Sequence, residues 1–201
     1  MIKNIIFDIG NVLLTFEPKK FLLQFTSDMA RINKFISNIP DSKIWLKLDR
    51  GLILIEDAKN LFLIKYPKEK ELITLFFEKW FEIFKPIQQN IEILNKLKQN
   101  GYKVFALSNF IKESYEFVIN KFKFFSLFDG QVISWKEKLI KPELEIYEIL
   151  LNRYKLIAQE CVFLDDYSDF LVSAQNLGMH TILITKNIDL QTELRNLNIN
   201  I

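Results

Sequence analysis

Five short strand-like runs, four of them nearly unbroken in apolar residues and separated by segments of helical period, constrain this chain more than any other feature. The runs lie at Asn4–Phe7, Tyr102–Leu107, Gln131–Ser134, Cys161–Leu164 and Thr181–Thr185. The first, second, fourth and fifth are almost wholly apolar, where a strand with one wet face would alternate. Continuous apolarity predicts strands buried on both faces. Between the later runs stand Ile87–Gln99, Ile111–Lys121, Glu143–Arg153 and Asp169–Leu177. Each has the length of a crossover helix, which two parallel strands need between them. The predicted class is α/β, a doubly wound parallel Rossmann-like sheet.

Residues 17–85 break the alternation, with several helical patterns and no convincing buried strand. They read as an inserted all-helical cap domain, leaving residues 1–16 and 86–201 as the core. Pro18, Pro40, Pro67 and Pro86 fall at the edges of the insertion or between its helices, where a residue without an N–H starts or stops a helix. Pro142 suits the first turn of a later helix. Gly101 and Gly178 close helices ahead of strands, Gly10 follows the first strand, and Gly130 precedes the third.

Charge excludes several function classes. The 27 basic residues are interleaved with 25 acidic ones, for a net charge of +2, so no basic block calls for nucleic acid. The Lys- and Phe-rich stretch Lys59–Trp80 carries its apolar residues at helical spacing and reads as an amphipathic helix pair. Asp8 interrupts the first apolar run, so that run is neither a secretory signal nor a membrane span, and a cytoplasmic protein without a membrane partner is expected. The single cysteine, Cys161, sits in an apolar run as a buried thiol would, and the lone His180 has no second ligand nearby. Oligomeric state is not legible.

Open parallel sheets bind ligands at the carboxyl ends of their strands. The polar residues there are Asp8 after the first run, Ser108 and Asn109 after the second, Lys141 beyond the third, and Asp165 and Asp166 after the fourth. Singly, these read as caps and turns. Brought to one rim, three carboxylates repel unless they share a cation, and their hard oxygens suit Mg²⁺.

The strings FDIGNVLL, ALSN, IKPELEIYEILL and FLDDYSDFLVSAQNLG, in this order, resemble the four signature motifs of the haloacid dehalogenase-like superfamily. Among its members, those with a helical cap after the first strand are most similar, including sugar-1-phosphate phosphatases and the N-terminal phosphatase domain of soluble epoxide hydrolases. Asp49-Arg50-Gly51 in the insertion also resembles this subgroup. The resemblance implies a magnesium-dependent phosphatase acting on a small phosphorylated metabolite. Asp8 would be the nucleophile that forms an aspartyl-phosphate. Mg²⁺ would be held by Asp8, the Gly10 carbonyl and Asp166, with Asp165 acting less directly. Ser108 and the Asn109 amide would hold phosphoryl oxygens, and Lys141 would offset the charge shared by phosphate and Asp8.

The sequence departs from the motif twice. Gly10 stands where phosphatases of this kind carry a second Asp as general acid, and Phe170 stands where relatives carry Asn or Asp behind the metal, with Asp169 as a candidate substitute. A non-catalytic or weakly active binding protein is therefore the alternative reading. A metal-free haloacid dehalogenase ranks last, because it has no use for Asp166. Substrate specificity would reside in the cap, where Trp45, Lys47 and Arg50 are as readily core or surface as pocket.

Overall fold

The apolar runs form five parallel strands in a computed structural model that describes residues 1–201. They are β1 (Asn4–Phe7), β2 (Lys103–Ser108), β3 (Gly130–Ile133), β4 (Cys161–Asp165) and β5 (His180–Leu183), in the spatial order β3-β2-β1-β4-β5. Alternation survives inside the apolar runs as a division between two cores. Ile5, Phe7, Val104, Ala106, Val162 and Leu164 join the larger apolar cluster on one face. Ile6, Phe105, Leu107, Cys161 and Phe163 join the smaller one on the other. Successive side chains of a strand point to opposite faces, so strands covered on both sides read as unbroken apolar runs.

Between β1 and β2 lie α1 (Pro18–Leu22), α2 (Met29–Asn38), α3 (Lys43–Asp49), α4 (Ile55–Lys65) and α5 (Lys70–Lys79), followed by a 3₁₀ turn at Trp80–Ile83. Local signals start several of these helices. Pro18 occupies the first turn of α1, Asp28 caps α2 by accepting from the Arg31 N–H at 2.9 Å, and Ser42 caps α3 through the Trp45 N–H at 3.2 Å. The later helices are α6 (Gln88–Gln99), α7 (Lys112–Lys121), α8 (Ser134–Glu137), α9 (Leu144–Tyr154), α10 (Ser168–Asn176) and α11 (Leu190–Asn196). Helices α6, α7 and α11 cover the larger core, while α9 and α10 cover the smaller.

The insertion does not keep a core of its own: Trp45, Phe62, Phe76 and Trp80 belong to the same cluster as Ile5 and Phe7 of the central strand. The end of α3 is also tied to the sheet side by polar contacts. Ser134 Oγ donates to the Asp49 carbonyl at 2.6 Å, Lys138 Nζ donates to the Gly51 carbonyl, and Arg50 pairs with Glu143. Gly51 has φ +60°, and a Cβ there would come within 2.5 Å of the Trp135 carbonyl oxygen, so only glycine lets the insertion approach α8 this closely.

Three local expectations shift. Ser134 opens α8 instead of ending β3, because its hydroxyl is used between the Phe110 N–H and the Asp49 carbonyl. Pro142 lies in the turn ahead of α9, whose N-cap is Glu143, and not in the helix's first turn. The strand predicted at Thr181–Thr185 runs from His180 to Leu183, and α11 beyond it had no sequence-based counterpart.

Candidate functional site

The centre of the sheet is where the chain, having built β2 and β3 on one side of β1, crosses to build β4 on the other. At such a switch point the carboxyl ends of neighbouring strands open a crevice. Asp8 directly follows β1, and Asp165 is the last residue of β4. Both are buried, and the fully buried Lys141 spans them: its Nζ donates to Asp8 Oδ1 at 2.7 Å and to Asp165 Oδ2 at 2.5 Å. Phe163 and Phe170 cover the same ammonium, with ring centroids 5.2 and 4.9 Å from Nζ. Phe170 thus packs against Lys141, whereas Asp169 is exposed and takes no part in the cluster.

The electrostatics follow from this packing. Burial alone would depress the Lys141 ammonium, but the charges of Asp165 and Asp8 outweigh it and hold the group protonated above its ordinary range. Burial pushes Asp165 upward and Asp8 adds to the push, against the pull of Lys141. Asp166 also moves upward, first by burial and then by the charge of Asp8. One ammonium does not balance three carboxylates.

The acidic pair divides its work. Both oxygens of Asp165 are engaged, one by Lys141 and the other by the Tyr167 N–H at 2.8 Å. Asp166 accepts a hydrogen bond from Asn11 Nδ2 at 3.0 Å through Oδ2. One oxygen from each of Asp8, Asp165 and Asp166 lies within 4.8 Å of the others, a spacing and oxygen chemistry that fit Mg²⁺. Asn11 was not singled out from sequence. It sits in the left-handed region at φ 51°, which Asn tolerates better than most residues, and its Oδ1 accepts from the Phe16 N–H at 2.8 Å. The Gly-Asn pair after the first strand was the available signal.

Ser108 ends β2 and is buried, its hydroxyl making only a 3.5 Å contact to the Asn109 carbonyl. The Asn109 side chain is committed elsewhere. Its Nδ2 donates to the Lys141 carbonyl at 3.1 Å and its Oδ1 accepts from the Lys141 N–H at 2.8 Å. This pair of hydrogen bonds fixes the segment that carries the lysine, so an amide offered by Asn109 to a ligand is the main-chain one.

Above this rim the insertion closes a cavity of about 120 Å³. Gly10, Asn109, Phe110 and Ile111 come from the core side, and Phe16, Trp45, Asp49, Trp80 and Phe84 from the insertion and its flanks. The rings pack on one another, Trp45 on Trp80 at 5.4 Å and Phe84 on Phe110 at 5.4 Å. Lys47 is exposed and Arg50 is paired with Glu143, so of the insertion residues weighed from sequence only Trp45 lines this space. Cys161 is buried in β4 with its thiol pushed up by burial to about 11, and His180 is exposed at the start of β5. Neither touches the site residues.

Comparisons with known proteins agree with this arrangement. Over 195 residues the chain is 28% identical to a sesquiterpene phosphatase of Aspergillus oryzae, covering 97% of this chain and 96% of that protein. It is 26% identical over 200 residues to a drimenol cyclase of Aspergillus calidoustus, but spans only 37% of that protein's length. A HAD family enzyme of Bacteroides thetaiotaomicron, solved with magnesium and inorganic phosphate, superposes with a TM-score of 0.74 at 22% identity, covering 97% of this chain and all of that one. L-2-haloacid dehalogenase of Xanthobacter autotrophicus, at 14% identity and a TM-score of 0.68, covers 100% of this chain and 85% of its own. At these identities the structural likeness speaks for fold. No helix is long and apolar enough to cross a membrane. The family model for haloacid dehalogenase-like hydrolases matches residues 5–184, and the chain belongs to that family.

Proposed function

We propose that this hydrolase is a magnesium-dependent phosphatase that acts on a small phosphate monoester through an aspartyl-phosphate on Asp8. The observation that carries the reading is the buried Lys141, joined to Asp8 and Asp165 beside Asp166. A cation would be held by Asp8, Asp166 and the Gly10 carbonyl, and when bound it supplies positive charge to the phosphoryl oxygens. Asp165, with both oxygens engaged, orients Lys141. An Asp8 oxygen forms a bond to phosphorus as the ester P–O bond breaks. Lys141, the Ser108 hydroxyl and the Asn109 main-chain N–H offset charge on the transferred group, and water then releases phosphate from Asp8.

The insertion serves in this reading as a cap that selects the alcohol portion. Its aromatic walls offer few partners for sugar hydroxyls, and about 120 Å³ matches a benzene-sized group. A compact apolar alcohol is therefore favoured over a sugar. The sesquiterpene phosphatase relative supports an apolar alcohol, although a fifteen-carbon chain would need this cavity to open.

Release of phosphate from aryl, benzyl, prenyl and sugar esters, with and without Mg²⁺, tests the reading. Activity should need the metal and fall by roughly 10⁴-fold or more in Asp8→Asn, whose amide cannot attack phosphorus. Equal turnover by wild type and Asp8→Asn would sink the covalent mechanism.

A further inference from the structure

Gly10 leaves the proposed reaction without a proton donor at the position next to the nucleophile. The space there is open: the nearest atom to a Cβ built on Gly10 is Asp8 Oδ2 at 3.6 Å, an ordinary contact. Gly10 also lines the aromatic cavity, so that space is continuous with a chamber whose far wall belongs to the insertion. Of the nine residues lining the chamber, Asp49 is the one with a titratable side chain. We propose that Asp49 gives the leaving oxygen its proton, doing from the insertion what residue 10 cannot do from the core.

Four further observations support the assignment. The Asp49 carboxyl makes no hydrogen bond and no ion pair, although Lys47 and Arg50 stand near it in sequence. Arg50 is held by Glu143, Lys138 by the Gly51 carbonyl, and Lys141 by Asp8 and Asp165. Lys47, on the same helix, is exposed and makes no ion pair with Asp49, and desolvation is the one influence that shifts the Asp49 carboxyl. Asp49 is half-buried, and desolvation on its chamber side pushes its carboxyl up to about 7, so near neutrality a substantial fraction holds a proton, as a general acid requires. Its backbone is fixed to the catalytic half, with the Asp49 carbonyl accepting from Ser134 Oγ at 2.6 Å and Gly51 seated against Trp135. Trp80, which lines the same wall, has its indole Nε1 buried without a hydrogen-bond partner.

The step balances without another reactant. As the Asp8–phosphorus bond forms and the ester P–O bond breaks, the proton on Asp49 passes to the departing oxygen, leaving a neutral alcohol and the Asp49 carboxylate. In the second half that carboxylate takes a proton from the water whose oxygen attacks phosphorus, and Asp8 is released with phosphate. This assignment rests on the phosphatase reading above, and its test separates the two.

The experiment compares 4-nitrophenyl phosphate, whose leaving group departs readily unprotonated, with benzyl phosphate, whose leaving group needs the proton. Both are measured with Mg²⁺ on wild type, Asp49→Asn, Asp49→Glu, Asp8→Asn and the double variant Gly10→Asp/Asp49→Asn. Asp49→Asn should lose roughly 10²- to 10⁴-fold in kcat/KM on benzyl phosphate and only a few-fold on 4-nitrophenyl phosphate. Asp49→Glu should retain part of the benzyl activity, and Gly10→Asp should restore it to the double variant. Using two esters on one protein sample cancels any loss of folded material. An equal loss on both esters, or none on benzyl phosphate, would overturn the role of Asp49. No Asp8-dependent release by the wild type from either ester would instead remove the phosphatase reading beneath it.

Discussion

The two walls of the site are built by opposite rules. On the core wall, Asp8, Lys141 and Asp165 are buried ions that satisfy one another within 2.5 to 2.7 Å. On the insertion wall, Phe16, Trp45, Trp80 and Phe84 surround one carboxylate with no partner. A closed ionic network tolerates little change, because removing any member strands another charge in a dry interior. An aromatic wall changes shape with each substitution and leaves the ions alone. On the proposals above, the chemistry is held by the sheet, while the choice of alcohol and the proton come from the insertion.

The harshest way to break that contrast is Lys141→Met, which leaves Asp8 and Asp165 facing each other without a cation. Activity should vanish and stability should fall by about 3–5 kcal/mol, read from urea unfolding. A stable Lys141→Met protein would mean that the ionic network is looser than its geometry shows. A finer division within the core wall concerns the acidic pair. Asp166→Ala should weaken Mg²⁺ binding by roughly 100-fold, whereas Asp165→Ala should weaken it less but cost more stability, since Asp165 is the one bonded to Lys141. Calorimetric titration and unfolding curves rank them; the reverse order would move the metal onto Asp165.

The insertion wall answers to gentler changes. Trp45→Leu enlarges the cavity and should raise KM for benzyl phosphate about tenfold with kcat nearly constant, whereas an equal fall in kcat would tie the ring to the chemistry. A last test is a pH slope. In the unfolded chain Asp49 ionises at about 4, while burial holds it near 7 in the fold. Between those values the folded state carries the extra proton, so stability without Mg²⁺ should decline as pH rises through the window. Asp165 and Asp166, also shifted upward, contribute to the same decline, so Asp49→Asn should lessen it without abolishing it, and an identical slope in both proteins would show that Asp49 does not titrate there.

Much of the core wall was legible from sequence because its residues sit at the ends of apolar runs. Asp8 closes FDIGN, Ser108 closes ALSN and Asp165 closes FLDD, and a parallel sheet gathers such ends at one rim. Lys141 was legible through its motif, although its two partners lie 133 and 24 residues away. Phe170 read as a defect in the metal's surroundings, and packing turned it into a cover for the lysine. Asp49 entered the sequence reading only within Asp49-Arg50-Gly51, as a likeness to the capped subgroup, and carried no chemical role there. Its meaning depends on which residues of the other half surround it.

The sequence by itself determined the α/β class, the helical insertion and the polar rim, since periodicity, turn residues and strand ends are local properties of the chain. Tertiary structure alone decided that the insertion shares the core of the sheet, that Asn109 spends its side chain on Lys141, and that an aromatic chamber joins Gly10 to Asp49. Those facts arise where segments far apart in the chain exclude water from one another, and no short stretch of residues encodes which distant surface will meet it.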